Sequence, residues 1–201
     1  MAGRKRAFDR DAVLDDAMRL FWRNGYTATS LATLTSGLGI NAPSLYAAFG
    51  NKEQLFKEAL MHYWGAYARP HYQHLTSDRE MNFRQRLEAF LLGWITLFTD
   101  GDTPLGCLMI KSLNESEGMG FPETVTDYIR EAGSEAKRVL IDVFNREISS
   151  DDLPEGTTIE ILVDYLLTVL YGLAIQARAG QPEDALKATM QHVLNSIPDG
   201  R

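Results

Sequence analysis

A single cysteine, Cys107, in 201 residues excludes an internal disulfide framework and fits a reducing compartment. No purely apolar run approaches the ~20 residues that a bilayer crossing requires, so no membrane partner is expected. The basic opening "MAGRKRAFDRD" is followed by no apolar h-region. No secretory signal is therefore expected, and the chain is assigned to the cytoplasm. Period-2 alternation and hairpin dipeptides are scarce, which argues against strands. HExxH, ExxH, GxSxG and P-loop patterns are missing, so a helix-bundle enzyme has little support, and a helix-bundle protein that only binds small molecules, without a DNA role, stays as an alternative. No cofactor is called for. His62, His71 and His74 lie near one another in sequence, but Pro70 falls among them and no fixed acid or cysteine set accompanies them. They are expected to be exposed linker histidines rather than a metal site.

What is present is charge asymmetry and helical periodicity. The net charge is -7, yet residues 1–57 carry eight Lys/Arg against five Asp/Glu, while residues 58–201 carry twelve against twenty-two. A head of +3 on a body of -10 points to a phosphate-seeking module on an acidic support. Apolar residues recur at 3.6-residue spacing throughout, which predicts an all-α protein. In the head, Asp9 is set to cap a helix over about 10–24 that ends at Gly25. Thr29 is set to cap a short second helix closed by "GLGI". A third spans about 43–49, and Asn51 caps a fourth from Lys52 to about Tyr67, with Gln54 placed for a capping box. Pro70 and "HLTSDRE" mark the expected boundary. Five more helices are expected at about 82–99, 105–117, 122–148, 157–179 and 183–197.

Two short helices joined by a glycine-containing turn and braced by a longer one make a helix-turn-helix. Pro43, placed at the first position of the third helix, gives up an N–H that has no intrahelical partner and stiffens the end that enters a groove. Lys52 opens the fourth helix against its dipole, an arrangement that a bound phosphate stabilises.

The stretch "TATSLATLTSGLGINAPSLYAAFGNKEQLF" resembles the DNA-binding region of the TetR/AcrR family of bacterial transcriptional regulators. The likeness covers residues 8–57. It implies an N-terminal helix-turn-helix domain at 1–57, a linking helix continuing to about 68, and a helical effector-binding and dimerisation domain at 69–201. It implies a repressor released from a palindromic double-stranded DNA operator by a small-molecule effector. By the same resemblance Thr29, Ser30, Tyr46 and Lys52 hold phosphates, while Asn41, Ala42, Pro43, Ser44 and Ala47 face base edges. Tyr46 and Lys52 have the reach for phosphate oxygens; Ala42 and Ala47 offer methyl contact to thymine. The recognition helix has no Arg or Gln for bidentate readout. DNA shape and an arm of Arg4, Lys5 and Arg6 in the minor groove are the expected supplement, with a solvated charge run as the alternative for the arm.

In the body, the helix over about 157–179 is apolar nearly all round and must be covered on two sides. With the last helix it is expected to form a two-fold four-helix homodimer interface through Leu162, Leu166, Leu170, Leu173, Met190 and Leu194. The alternative is that both helices lie inside one core. Phe90, Trp94, Phe98, Cys107, Met109, Asn114, Phe121 and Tyr128 are the candidates for an effector pocket, with plain core packing as the alternative. Cys107 begins a helix with Lys111 four residues on, but its apolar flanks oppose thiolate formation, so a core thiol is expected rather than a sensor.

Overall fold

Side chains, more than helix length, define the helices of the first sixty residues. The computed structural model describes residues 8–77 and 80–200. Asp9 accepts hydrogen bonds from the Asp11 and Ala12 N–H groups and starts α1, Arg10–Asn24. Gly25, at φ +89°, ends it by donating its N–H to the Phe21 carbonyl. The cap of α2, Leu31–Leu38, is Ser30, not Thr29. Thr29 is fully buried and donates its hydroxyl back to the Gly25 carbonyl, closing the turn between α1 and α2. Asn41 caps α3, Ala42–Phe49, which places Pro43 second in the helix and not first. The reason for a proline survives the shift, since the second N–H also lacks an intrahelical acceptor. Asn51 caps α4, Lys52–Tyr63, through the Gln54 N–H at 2.8 Å. Only that half of the expected capping box forms, because the Gln54 side chain lies against Gly50 instead.

Neither α2 nor α3, at eight residues each, is stable alone. Leu34, Leu45 and Phe49 bury them against α1 and α4, whose rings meet at Phe21–Phe56 (4.7 Å between centroids) and Trp22–Tyr63 (4.8 Å). Each large apolar side chain so buried contributes about 1.5–3 kcal/mol, and Phe21→Ala is the kind of change that costs about 3–5 kcal/mol. Arg10 closes the head: its guanidinium donates to the Ala48 carbonyl, pairs with Glu58 at 2.6 Å and lies 4.5 Å from the Phe49 ring centre.

The expected break at Pro70 does not occur. After α4 the helix widens into a π turn, Trp64–Ala68, and continues as α5, Arg69–Ser77. The Arg69 N–H bonds back to the Trp64 carbonyl, five residues away, which makes room for the proline ring beside the preceding turn. Tyr72 packs on Trp64 and Phe90 and holds the continuation in place.

The body consists of α5 with α6 (Phe83–Thr99), α7 (Leu108–Glu115), α8 (Glu123–Glu147), α9 (Ile159–Arg178) and α10 (Glu183–Ser196). A full capping box at Asn82 and Gln85 starts α6. Arg84 donates to the Leu194 carbonyl at the end of α10, and Arg86 pairs with Glu147 at 2.8 Å at the end of α8. By length and composition α9 could span a membrane, with a mean hydropathy of 1.6. Here it is the central strut, packed against α6, α8 and α10, which is why its apolar residues exceed one face. No strand occurs among the described residues.

Candidate DNA interface and effector cavity

The helix-turn-helix presents a surface of caps. The N–H groups at the start of α2, α3 and α4 meet Ser30, Asn41 and Asn51 oxygens at 3.0, 2.9 and 2.8 Å, and all three capping residues are exposed. Beside them Pro43 and Ala47 are exposed, Tyr46 is 45% exposed, and Ala42 and Ser44 are half-buried. Neither α2 nor α3 carries a charge. The groups this face has that are able to attract phosphate are helix N-termini, hydroxyls and Lys52.

Lys52 is not free in solvent. Its ammonium sits 4.1 Å from the Tyr26 ring centre, and burial pushes it below its ordinary pKa while the Glu115 carboxylate acts the other way. The ring fixes the cation next to the start of α4. Thr29, by contrast, has no surface to offer a phosphate, since its side chain is buried under the α1–α2 turn. Arg4, Lys5 and Arg6 lie outside the described residues.

The head is tied to the body at several points. Arg178, in the last turn of α9, donates to the Trp22 and Arg23 carbonyls at the end of α1. Arg19 donates to the Asp102 carbonyl. Glu115, at the end of α7, accepts the Tyr26 N–H at 2.8 Å and fills the space that a Cβ on Gly25 would need. Phe121 packs on Tyr26 and Phe56 at 5.4 and 5.9 Å. Sequence reading missed these ties because each joins residues far apart in the chain.

Inside the body is an apolar cavity of about 70 Å³. Trp94, Phe98, Cys107 and Met109 line it, as expected, together with Trp64 and Tyr72 from the continuous α4–α5 helix and Gly133, Leu167 and Tyr171 from α8 and α9. The other four candidates fall elsewhere. Phe90 is buried behind the wall against Tyr72, and Asn114 lines a separate polar cleft. Phe121 belongs to the head junction, and Tyr128 stands 6.0 Å from the Lys57 ammonium. Helical spacing marked them as apolar without revealing which neighbour each meets. No charged side chain among the described residues lines the cavity. Burial pushes the Tyr72 hydroxyl well above the ordinary tyrosine range, so it stays protonated. The Trp94 indole N–H is buried without a partner among the described residues.

Cys107 accepts a hydrogen bond from the Tyr63 hydroxyl at 3.2 Å, and burial pushes its thiol up. The histidines are held separately. His62 lies 3.2 Å from Asp15, His74 is exposed, and His71 packs on the Trp94 ring at 4.9 Å. His71 is thus no exposed linker residue, because α5 carries it into the body.

The residues expected to form the dimer interface are interior. Leu162, Leu166, Leu170, Leu173, Met190 and Leu194 are all buried within the single chain, and Leu170 also lines the cavity. The outward stripe of α9 is instead Ile161, Tyr165, Thr168, Gly172 and Ile175, with Ile161 51%, Tyr165 39% and Ile175 52% exposed. The expected stripe was out of phase by about one residue, because a helix apolar all round does not show which face its own chain covers.

A helix-turn-helix head fastened to a helical body with an internal cavity defines a two-part DNA-binding regulator. The profile of bacterial regulatory proteins of the tetR family matches residues 13–59. The transcriptional repressor ComR of Escherichia coli K12 is 34% identical over 98% of this chain and 92% of its own. The repressor BdcR of the same organism is 29% identical over 93% and 88%. A cysteine-substituted form of the TetR-family regulator CifR, solved with 26-bp operator DNA, is 38% identical, covers 98% of this chain and 100% of its own, and superposes with a TM-score of 0.84. The chain belongs to the tetR family of bacterial transcriptional regulators. It is a regulator and not an enzyme.

Proposed function

We propose that the protein is a cytoplasmic homodimeric repressor that holds a two-fold operator and releases it when a small uncharged molecule enters the apolar cavity. The observation that carries this reading is the capped face of α2, α3 and α4 with Lys52 fixed beside it, in a chain similar over its full length to a regulator solved on operator DNA. Ser30, Tyr46 and Lys52 hold phosphates, and Asn41 to Ser44 with Ala47 meet base edges. Pairing runs through the outward stripe of α9, which leaves two heads side by side for successive half-sites. The cavity's lining of aromatics and hydroxyl donors fits a ligand that is compact, largely apolar and equipped with one acceptor atom. At about 70 Å³ it has to widen to admit more than a few heavy atoms.

Selection of bound fragments from random duplexes, with sedimentation of the complex, tests this. A two-fold consensus bound by one dimer is the expected result. Recovery of no preferred sequence, or binding by a monomer, would sink it.

A further inference from the structure

A second opening lies on the other side of Cys107 and Ile110, which line both spaces. It is a cleft of about 300 Å³ between α7 and α9, beside the C-terminal end of α1. Its polar groups are Lys111, Arg178, Asn114 and Glu115, and Ile110 and Ala174 belong to its apolar floor. The charges do not balance. Glu115 is engaged with the Tyr26 N–H and stands 3.5 Å from Lys111. Arg178 gives its terminal N–H groups to two carbonyls, neutral acceptors that leave its charge in place. The Lys111 side chain is only 14% exposed, and burial and the nearby Arg178 both push its ammonium below the ordinary value. Two cations therefore share one cleft with one committed carboxylate, in the part of the chain that carries a net charge of -10. Like charges brought together on partly apolar walls repel, and an anion placed between them relieves that repulsion. The guanidinium fork and the unpaired Asn114 amide supply the directional donors.

We propose that this cleft is a ligand site distinct from the apolar cavity, selective for a small amphipathic carboxylate whose headgroup lies between Lys111 and Arg178 and whose short tail rests on Ile110 and Ala174. Neutral acceptors suit the apolar cavity; the cleft selects charge. Occupancy also reaches the head. A carboxylate on the Arg178 guanidinium competes with the Trp22 and Arg23 carbonyls, which loosens one of the ties between body and head. That consequence rests on the regulator reading, whereas binding itself does not. By linkage, DNA that favours the tied arrangement weakens the carboxylate by the same factor.

Hexanoate and hexanamide differ in charge but little in shape, and calorimetric titration of each into the full chain separates the two sites. Hexanoate is expected to bind about tenfold tighter than the amide, and Lys111→Met and Arg178→Gln each to weaken it about tenfold. Gly133→Leu, which fills the apolar cavity, is expected to leave hexanoate binding unchanged. Circular dichroism and melting establish that each variant is folded, and Asn114→Ala, at an exposed position, serves as a milder probe if Arg178→Gln is not. Equal affinity for acid and amide, or no binding of hexanoate, overturns the site. Loss of hexanoate binding in Gly133→Leu with retention in Arg178→Gln also overturns it, while leaving the cavity as the effector site. Operator anisotropy in the same series reads the coupling: hexanoate is expected to lower affinity in the parent but not in Arg178→Gln, and equal lowering in both refutes the competition.

Discussion

The head and the body reach stability by different routes, and the difference explains where each keeps its function. In the head, two eight-residue helices are held by side-chain caps and a few buried anchors, so the polar groups that stabilise it also stand on its surface. In the body, three helices of 17 to 25 residues bury apolar faces on one another and on their shorter neighbours, and what they leave for function is the space between them. A DNA contact can thus be made from neighbours in sequence. A ligand cavity needs residues from five helices.

The largest effect that would sharpen this contrast concerns α9. Leu166→Glu places an unpaired charge in the core and is expected to cost about 3–5 kcal/mol, a large share of a total stability of about 5–15 kcal/mol, read as a sharply lowered melting temperature on circular dichroism. Tyr165→Glu, one residue earlier, is expected to fold normally, sediment as a monomer and bind operator about 100-fold more weakly, since two half-sites are no longer engaged together. A Tyr165→Glu dimer with normal operator affinity would remove the outward stripe as the interface.

Next in size is Lys52→Ala. It removes a phosphate contact from each head, so binding to cognate and random duplexes is expected to fall alike, with the salt slope flatter by about one unit per lost contact. Lys52→Arg keeps the charge and the Tyr26 ring contact and is expected to bind nearly as the parent does. Parent-like binding by Lys52→Ala at every salt concentration would place the phosphate clamp elsewhere.

A smaller effect tests the body through pH. Burial, with a lesser contribution from His74, pushes His71 down to about 4. The unfolded imidazole titrates near 6.5, so the unfolded state takes up the proton first as pH falls. Stability present above pH 6.5 is then lost between about 6.5 and about 4, by up to roughly 3 kcal/mol before solvent screening of this half-buried ring reduces it. Melting temperatures between pH 7 and pH 5 are expected to drop more steeply for the parent than for His71→Phe; matching slopes would show that the ring is solvated.

The smallest effect is expected at Cys107. A buried thiol raised by desolvation and hydrogen-bonded to Tyr63 is a poor nucleophile. Cys107→Ser is therefore expected to change operator affinity less than about twofold, because the serine hydroxyl can still meet Tyr63. Iodoacetamide is expected to react slowly with the native protein and quickly after denaturation. Fast native alkylation with loss of operator binding, absent in Cys107→Ser, would make the thiol a switch.

The helix-turn-helix and the charge division between head and body were legible in the sequence, because caps, turns and periodicity act over three or four residues. Asp9 and Asn51 needed only their immediate successors to be read as caps. The errors fell where the deciding neighbour lies far along the chain. Thr29 and Ser30 are both capping residues by type, and packing against the α1–α2 turn determined which one is buried. Pro70 reads as a helix stop, yet a π turn held by aromatic packing carries the helix through, bringing Tyr72 to the cavity and His71 onto the Trp94 ring. The apolar circumference of α9 required two-sided cover, but only the positions of α6, α8 and α10 decided that Leu166 points inward and Tyr165 outward. The same holds for the ties at Glu115 and Arg178, each of which reaches a backbone group more than eighty residues away. Local chemistry determined which elements form; the mutual burial of distant side chains decided which faces remain for DNA, ligand and partner.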